Sequence, residues 1–264
     1  MITGNPITLG ADPELFVTEN GEISSAVDKI GARKDDPLPI SDEGHSIQED
    51  NVLAEFNIPP SSSKETFVHN IQYAIEALKD YFLAFDMGLS NVASANLKPE
   101  LLNNPQACEF GCDPDFDAWS GQRNPKPKND GTLRTAGGHV HIGWTEPNDK
   151  SRLLLIQAMD LYLGLPSLFL DKDNQRRLLY GKAGAFRATE YGVEYRSLSN
   201  FWIWNDNLIA WVYESVFEAI KFVNDGYYAE AAVAKAINEN DKLLAASILK
   251  NYKIEIPEYV HHYV

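Results

Sequence analysis

Two kinds of periodicity divide this chain, and their order along it restricts the fold more than any other feature. Alternating, β-forming stretches occupy residues 6–19 and 47–58, whereas residues 205–252 repeat at helical spacing. Asn20-Gly21 is a tight-turn signal that predicts a hairpin from the first strand to residues 22–25. Pro59-Pro60 ends the second stretch, because proline has no N–H to give a ladder. Polar residues from Ser61 then precede Phe67, Ile71, Ala74, Ile75, Leu78, Tyr81 and Phe82, whose spacing predicts one helix running to about Met87. Another strand is expected at 137–144, a buried helix at 149–170 and a strand at 190–198, while 100–135 reads as a long loop. Helices follow at 205–223, 227–239 and 241–252, with Asn224-Asp225-Gly226 as a stop signal. Strands joined by loops and single helices, with a helical last third, predict an α+β fold: a curved, mostly antiparallel sheet covered by helices on one face. No repeat or linker interrupts the chain, so residues 1–264 are expected to form one domain with a helical part at about 205–252. A dinucleotide-binding or P-loop arrangement is disfavoured, since no G-x-G-x-x-G or G-x-x-x-x-G-K-[ST] links a strand to a helix.

Charge narrows the partners. A formal net charge of −15 and the lack of any basic run remove the electrostatic footprint of a nucleic-acid binder. The N-terminal MITGNPITLGADPELF carries neither the charged nor the apolar region of a signal peptide, and the apolar runs read as too short to span a bilayer. No membrane partner and a cytoplasmic location are therefore expected. Cys108 and Cys112 are too few for a disulfide framework, and their C-x₃-C spacing offers half a zinc site with no second pair to complete it.

Several short patterns could carry chemistry. In Gly10-Ala-Asp12-Pro-Glu14 the carboxylates stand two apart, so on a strand both leave the same face, an arrangement that repels unless a cation such as Mg²⁺ or Mn²⁺ neutralises it. By the same alternation a strand through 49–58 puts Glu49, Glu55 and Asn57 on one face and Val52, Ala54, Phe56 and Ile58 on the other. His139 and His141 form an H-x-H pair preceded by Gly137-Gly138, where a backbone or ligand can approach closely. Glu146 extends that pair to the H-x-H-x₄-E spacing of cupin metal sites, but no later glycine and histidine complete the cupin pattern. Arg176, Arg177, Lys182, Arg187 and Arg196 gather around Glu194 in a chain otherwise poor in cations, as a polyphosphate would require.

In this order, D-x-E, E, H-x-H and E-x-R resemble the glutamine synthetase and glutamate-cysteine ligase superfamily. More closely, GADPELFV, DNVLAEFNIPP, GCDPDFDAW, GGHVHIGW, RRLLYGKAGAFR and EYRSLSNFW are similar to the amidoligases, carboxylate-amine ligases of tailed bacteriophages, over about residues 8–204. The resemblance implies ATP and two or more Mg²⁺ ions. It implies metal ligation by Asp12, Glu14, Glu55, His139 and Glu194, and phosphate contacts from His141, Arg187, Arg196 and either Arg176 or Arg177, with Lys182 as a further candidate. Asp12 departs from the glutamate usual at its position, and the N-terminal β-domain of glutamine synthetase is absent, so the site is expected within one subunit. The implied activity joins a small-molecule or peptide carboxylate to an amine through an acyl phosphate, releasing ADP and phosphate, in the host cytoplasm where the gene is a phage's. For the base that deprotonates the amine, Glu49 and Asp113 or Asp115 are candidates. Two other classes remain open: a guanidino-kinase-like phosphotransferase, and a non-catalytic metal-binding phage protein. Oligomerisation is compatible with the same reading.

Overall fold

The computed structural model describes residues 1–108, 115–125 and 131–258. It opens with β1 (Thr3–Ala11), β2 (Glu14–Glu19), β3 (Glu22–Ser24), β4 (Leu38–Pro39), β5 (Ser46–Asp50) and β6 (Leu53–Asn57), followed by helix α1 (Lys64–Leu83). Then come β7 (Met87–Ser90), β8 (Ser94–Asn96), the short α2 (Pro105–Cys108), β9 (Phe116–Asp117), β10 (Leu133–Thr135) and β11 (Val140–Thr145). A continuous helical stretch comprises α3 (Asp149–Met159), a π turn (Asp160–Gly164) and α4 (Leu165–Leu170). The short α5 (Gln175–Leu179) leads to β12 (Ala185–Ala188) and β13 (Gly192–Tyr195), and α6 (Asp206–Asn224), α7 (Ala231–Asn238) and α8 (Lys242–Tyr252) complete the described chain. The C-x₃-C reading falls partly on Cys112, and Asp113 is one of the proposed bases; both lie outside the described residues.

The fold is α+β and every strand pairing among the described residues is antiparallel, as the periodicity implied. The strands divide between two main sheets, however. One runs β1-β11-β13-β12-β9; the other runs β3-β2-β6-β5-β4, with β7 also on β2, and β8 pairs separately with β10. The division falls inside the first alternating stretch, which was expected to be one strand. Pro13 has no N–H for a ladder, so the chain leaves the first sheet after Ala11 and enters the second at Glu14.

The 47–58 stretch is also two strands, not one. Asn51-Val52 turns the chain, with Asn51 in the left-handed region at φ 58°, so that Asp50 faces Leu53 and Gln48 faces Glu55. Helix α1 begins where the cap signal placed it, with the Ser63 hydroxyl accepting from Thr66 N at 3.1 Å. It stops at Leu83, short of the expected end, because Met87–Ser90 adds to the second sheet as β7. Its apolar face, Phe67, Ile71, Ala74, Ile75, Leu78 and Phe82, is buried in the main core, and α6 packs against both α1 and α3. Each large side chain buried there contributes roughly 1.5–3 kcal/mol.

The helix Asp149–Leu170 corrects one expectation: with a mean hydropathy of 1.7 over its best window it is long and apolar enough to cross a membrane. Within the fold, 72% of that window is buried, so its apolar surface is covered by protein.

Candidate functional site

Register across the first sheet builds one side of the site. Gly10 faces His141, His141 faces Glu194, and Glu194 faces Arg187, so the last three project in a row from neighbouring strands. One residue beyond the same strand ends, Asp12, His139 and Arg196 continue toward the site. His139 Nδ1 lies 3.3 Å from Asp12 Oδ1 and 3.6 Å from Glu194 Oε1, while His141 Nε2 lies 3.0 Å from Asp12 Oδ1. Burial alone would push the Asp12 carboxyl up, yet the His141 and His139 imidazoles hold it well below the usual carboxylate range. His139 is itself pushed down to about 4 by burial and by the nearby Arg196 guanidinium. It is therefore neutral at pH 7, the form that ligates metals.

The second sheet supplies a separate group of acids. Glu14 on β2 pairs directly with Glu55 on β6, and Asp50 on β5 completes a trio whose carboxylate oxygens lie within 4.8 Å of one another. Gln48 Nε2 donates to Glu55 Oε1 at 2.6 Å, and Asn57 Nδ2 donates to Gln48 Oε1 at 3.4 Å. Burial, then the neighbouring Asp50 charge, pushes the Glu14 carboxyl up to about 8. Burial also raises Asp50, and it combines with the surrounding acids to raise Glu55 well above the usual range. The two sheets are clasped here: Glu14 N donates to Gly137 O at 2.9 Å, and Gly137 N donates to Glu14 Oε2 at 2.6 Å. A side chain at Gly137 would collide with the His139 ring and the Arg176 guanidinium, which explains the glycine.

The structure thus separates Asp12 from Glu14. Asp12 joins His139 and Glu194, and Glu14 joins Asp50 and Glu55, each group meeting the geometry of a possible cation site. The donor sets suit a divalent ion. Carboxylate oxygens dominate both, and buried Asp12 Oδ1 and His141 Nε2, although 3.0 Å apart, do not meet in hydrogen-bond geometry. Between the groups lies a cavity of about 70 Å³, bordered by Asp12, Glu14, Gln48, Glu49, Asp50, Glu55, His139, Lys34, Arg187 and Arg196. Beyond His141 a more open groove of about 310 Å³ is lined by Thr8, Gly10, Ile58, Pro60, Gly143 and Tyr191. The Tyr191 hydroxyl and His141 Nδ1 share a 2.5 Å hydrogen bond at its edge.

The cationic residues do not all gather there. Arg187 Nη1 binds Glu194 Oε2 at 3.1 Å, and Arg196 pairs with the other Glu194 oxygen. Arg176 lies beneath the site, its Nη2 3.4 Å from His139 Nε2 and 3.2 Å from the Arg196 carbonyl, so it supports the histidine and does not border the cavity. Arg177 turns away, donating to the Ser167 carbonyl and hydroxyl and lying 3.7 Å from Asp171. Lys182 is exposed and outside the cavity lining. Of the residues expected at phosphate, Arg176, Arg177 and Lys182 are thus outside the lining of this cavity.

Glu49 needs the same correction. The Asn51-Val52 turn reverses the parity of the alternation, so Glu49 faces Ala54 and not the Glu55 side. Its Oε1 accepts from Ile30 N and Gly31 N, both at 2.8 Å, and its Oε2 accepts from Gln106 Nε2 at 2.9 Å. A carboxylate so committed anchors the 30–34 loop and is not poised to take a substrate proton. That anchor brings Lys34 to the cavity edge, a residue with no signal in the sequence beyond its charge. The same turn puts Asp50 on the Glu55 side, which alternation along one unbroken strand does not give.

Residues 133–254, somewhat under half of the 264, match the family described as "Phage phiEco32-like COOH.NH2 ligase-type 2". The resemblance read from the motifs is thereby met over that segment, which carries His139, His141, Arg187, Glu194 and Arg196. No curated protein matches the chain. A crystal structure described as a novel glutamine synthase homolog is similar at 12% identity and a TM-score of 0.44, over 93% of this chain and 64% of that one. A structure described as apo GmaS without ligand is similar at 12% identity and a TM-score of 0.42, over 92% of this chain and 65% of that one. The chain spans a little under two thirds of the length of both.

Proposed function

We propose that this chain, related over residues 133–254 to the phage phiEco32-like carboxylate-amine ligases, forms an amide bond at the expense of ATP, through an acyl phosphate, and releases ADP and phosphate. One observation carries the reading: Asp12 and His139 of one ligand-type group, whose third member is Glu194, and Glu14, Asp50 and Glu55 of the other border one cavity that Arg187 and Arg196 also border. Mg²⁺ or Mn²⁺ held by these residues would neutralise the polyphosphate and the charge that develops on the transferred group. Arg187 and Arg196, already turned toward Glu194, supply planar forks for nonbridging phosphate oxygens. The neutral groove beyond His141 suits the base and sugar of the nucleotide, with its phosphates directed toward Asp12 and the arginines. The 70 Å³ cavity would admit the slim end of a carboxylate substrate. All the residues named belong to one chain, so a single subunit can hold the whole reacting centre.

Hydroxylamine tests this reading, because it attacks acyl phosphates without needing the natural amine's pocket. With ATP, Mg²⁺ and a panel of carboxylates, hydroxamate is expected in step with ADP and phosphate, and EDTA should stop both. ADP with a phosphorylated nitrogen compound would identify a guanidino-kinase-like enzyme. AMP with pyrophosphate would refute the acyl-phosphate route, and no nucleotide turnover with any carboxylate would leave a binding protein.

A further inference from the structure

An amine arrives at neutral pH as an ammonium ion and must lose a proton before its lone pair can attack. On the ligase reading above, the acids of the two cation groups would be engaged in holding metal. Glu49 is engaged as well, for both its oxygens hold backbone and amide donors. Among the described residues one further carboxylate touches the cationic side of the site. Asp115 Oδ2 lies 3.8 Å from Arg196 Nε, across that guanidinium from Glu194.

Its position is built and not incidental. Strand β9 adds to the edge of the first sheet, with Phe116 facing Phe186 and Asp117 facing Ala185, which brings the preceding Asp115 to the level of Arg187. Three contacts fix the segment: Ala118 N donates to Gly184 O at 2.9 Å, Trp119 Nε1 to buried Asp160 Oδ2 at 2.7 Å, and Asn124 N to Asp115 O at 2.9 Å. Asp117 accepts from Trp119 N at 2.8 Å and from the Ser120 hydroxyl at 2.6 Å, while the Asp115 carboxylate accepts from the Asn124 side chain and faces Arg196. The Asp115 side chain is 17% exposed, so a solute can reach it. Burial lifts its carboxyl above the usual range even though Arg196, the Asn124 hydrogen bond and the other nearby arginines pull the other way.

We propose that Asp115 is the catalytic base of the amine step, receiving the ammonium on the arginine side of the cavity and accepting one of its protons. The freed nitrogen lone pair forms the C–N bond, and the C–O bond to phosphorus breaks with its electron pair leaving on phosphate. The second nitrogen proton departs with that phosphate, so the products are a neutral amide, inorganic phosphate and protonated Asp115, which returns its proton to water.

The choice of nucleophile tests this, because hydroxylamine is largely unprotonated at neutral pH whereas ammonia is not. The full-length protein is assayed with ATP, Mg²⁺ and a panel of proteinogenic amino acids and dipeptides as carboxylates, using either nucleophile. For Asp115→Asn the amide yield with ammonia should fall by roughly 10²-fold or more. Hydroxamate formation should fall far less, and the ammonia rate should recover as pH rises and free ammonia accumulates. Equal losses with both nucleophiles, at all pH values, would overturn the proposal and leave Asp115 as a partner that merely positions Arg196. Absence of hydroxamate with the wild-type protein across the panel would instead overturn the ligase reading on which the proposal rests.

Discussion

Replacing Glu14 with glutamine separates the two roles that its cluster plays, because the cluster should weaken the metal-free fold and strengthen the metal-bound one. The carboxylate oxygens of Glu14, Asp50 and Glu55 lie within 4.8 Å of one another, and at an effective dielectric near 20 each charged pair at that distance repels by about 3.5 kcal/mol. The fold avoids this by holding protons, as the rise of Glu14 from 4.5 to about 8 records. A carboxyl raised in the folded state binds a proton that the unfolded chain has released. Its contribution is fully present below pH 4.5 and is lost as pH climbs through about 8. At 1.36 kcal/mol per unit that loss approaches about 5 kcal/mol in full and on the order of 3 kcal/mol by pH 7. Glutamine keeps the amide oxygen that accepts from Gly137 N at 2.6 Å but has no charge to suppress. In urea unfolding with EDTA, the wild type should lose stability between pH 5 and pH 8. Glu14→Gln should lose less and be the more stable protein at pH 8. Mg²⁺ should reverse that order, since a ligand at 100 times its Kd adds about 2.7 kcal/mol and the variant lacks one of its ligands. A variant less stable than wild type in EDTA at pH 8, together with equal gains from Mg²⁺, would refute both the repulsion and the metal site.

Two further substitutions probe the arginines and the backbone. Arg196→Lys retains a charge beside Glu194 but loses the planar fork, so kcat for hydroxamate formation should fall by about 10²-fold or more, and a change of only a few-fold would move Arg196 out of the reacting centre. Gly138→Ala would put a methyl 2.3 Å from Ser199 O and 2.6 Å from Trp202 Nε1, so the urea midpoint should drop by an amount equivalent to about 1–3 kcal/mol or more, and an unchanged midpoint would contradict that packing.

What could be read from residues alone followed from period. The α1 face, α6, α8 and the Gly226 stop appear where 3.6-residue spacing and turn chemistry placed them, while α7 starts at Ala231, four residues after the expected Tyr227. His141 and Glu194 lie on β11 and β13 as alternation required, while His139 and Arg196 stand one residue beyond the strand ends. Misreadings arose where a turn hid inside an alternating run. Asn51-Val52 lacks the glycine that marks most two-residue turns, so β5 and β6 read as one strand, Glu49 was put on the wrong face and Asp50 escaped notice. The role of Arg177 was illegible for a different reason. Its partners Ser167 and Asp171 are set by helix packing, which no local spacing encodes.

The Asp12-Pro13-Glu14 step is where sequence and site chemistry meet. On a single strand, two acids at i and i+2 would stand about 7 Å apart on one face, suited at best to flanking one ion or bridging two. By breaking the ladder, Pro13 lets Asp12 finish a row on the first sheet while Glu14 starts a pair on the second. Each acid then acquires its own partners, imidazoles and Glu194 for one and carboxylates for the other. The electrostatic consequence differs on the two sides. The imidazoles lower Asp12 and keep it an anion, whereas burial, then the neighbouring Asp50 charge, raises Glu14 and leaves that side protonated until a cation arrives. One side is therefore ready to bind a cation at neutral pH and the other must first release protons. Affinity at the Glu14 side should accordingly depend more steeply on pH than affinity at the Asp12 side.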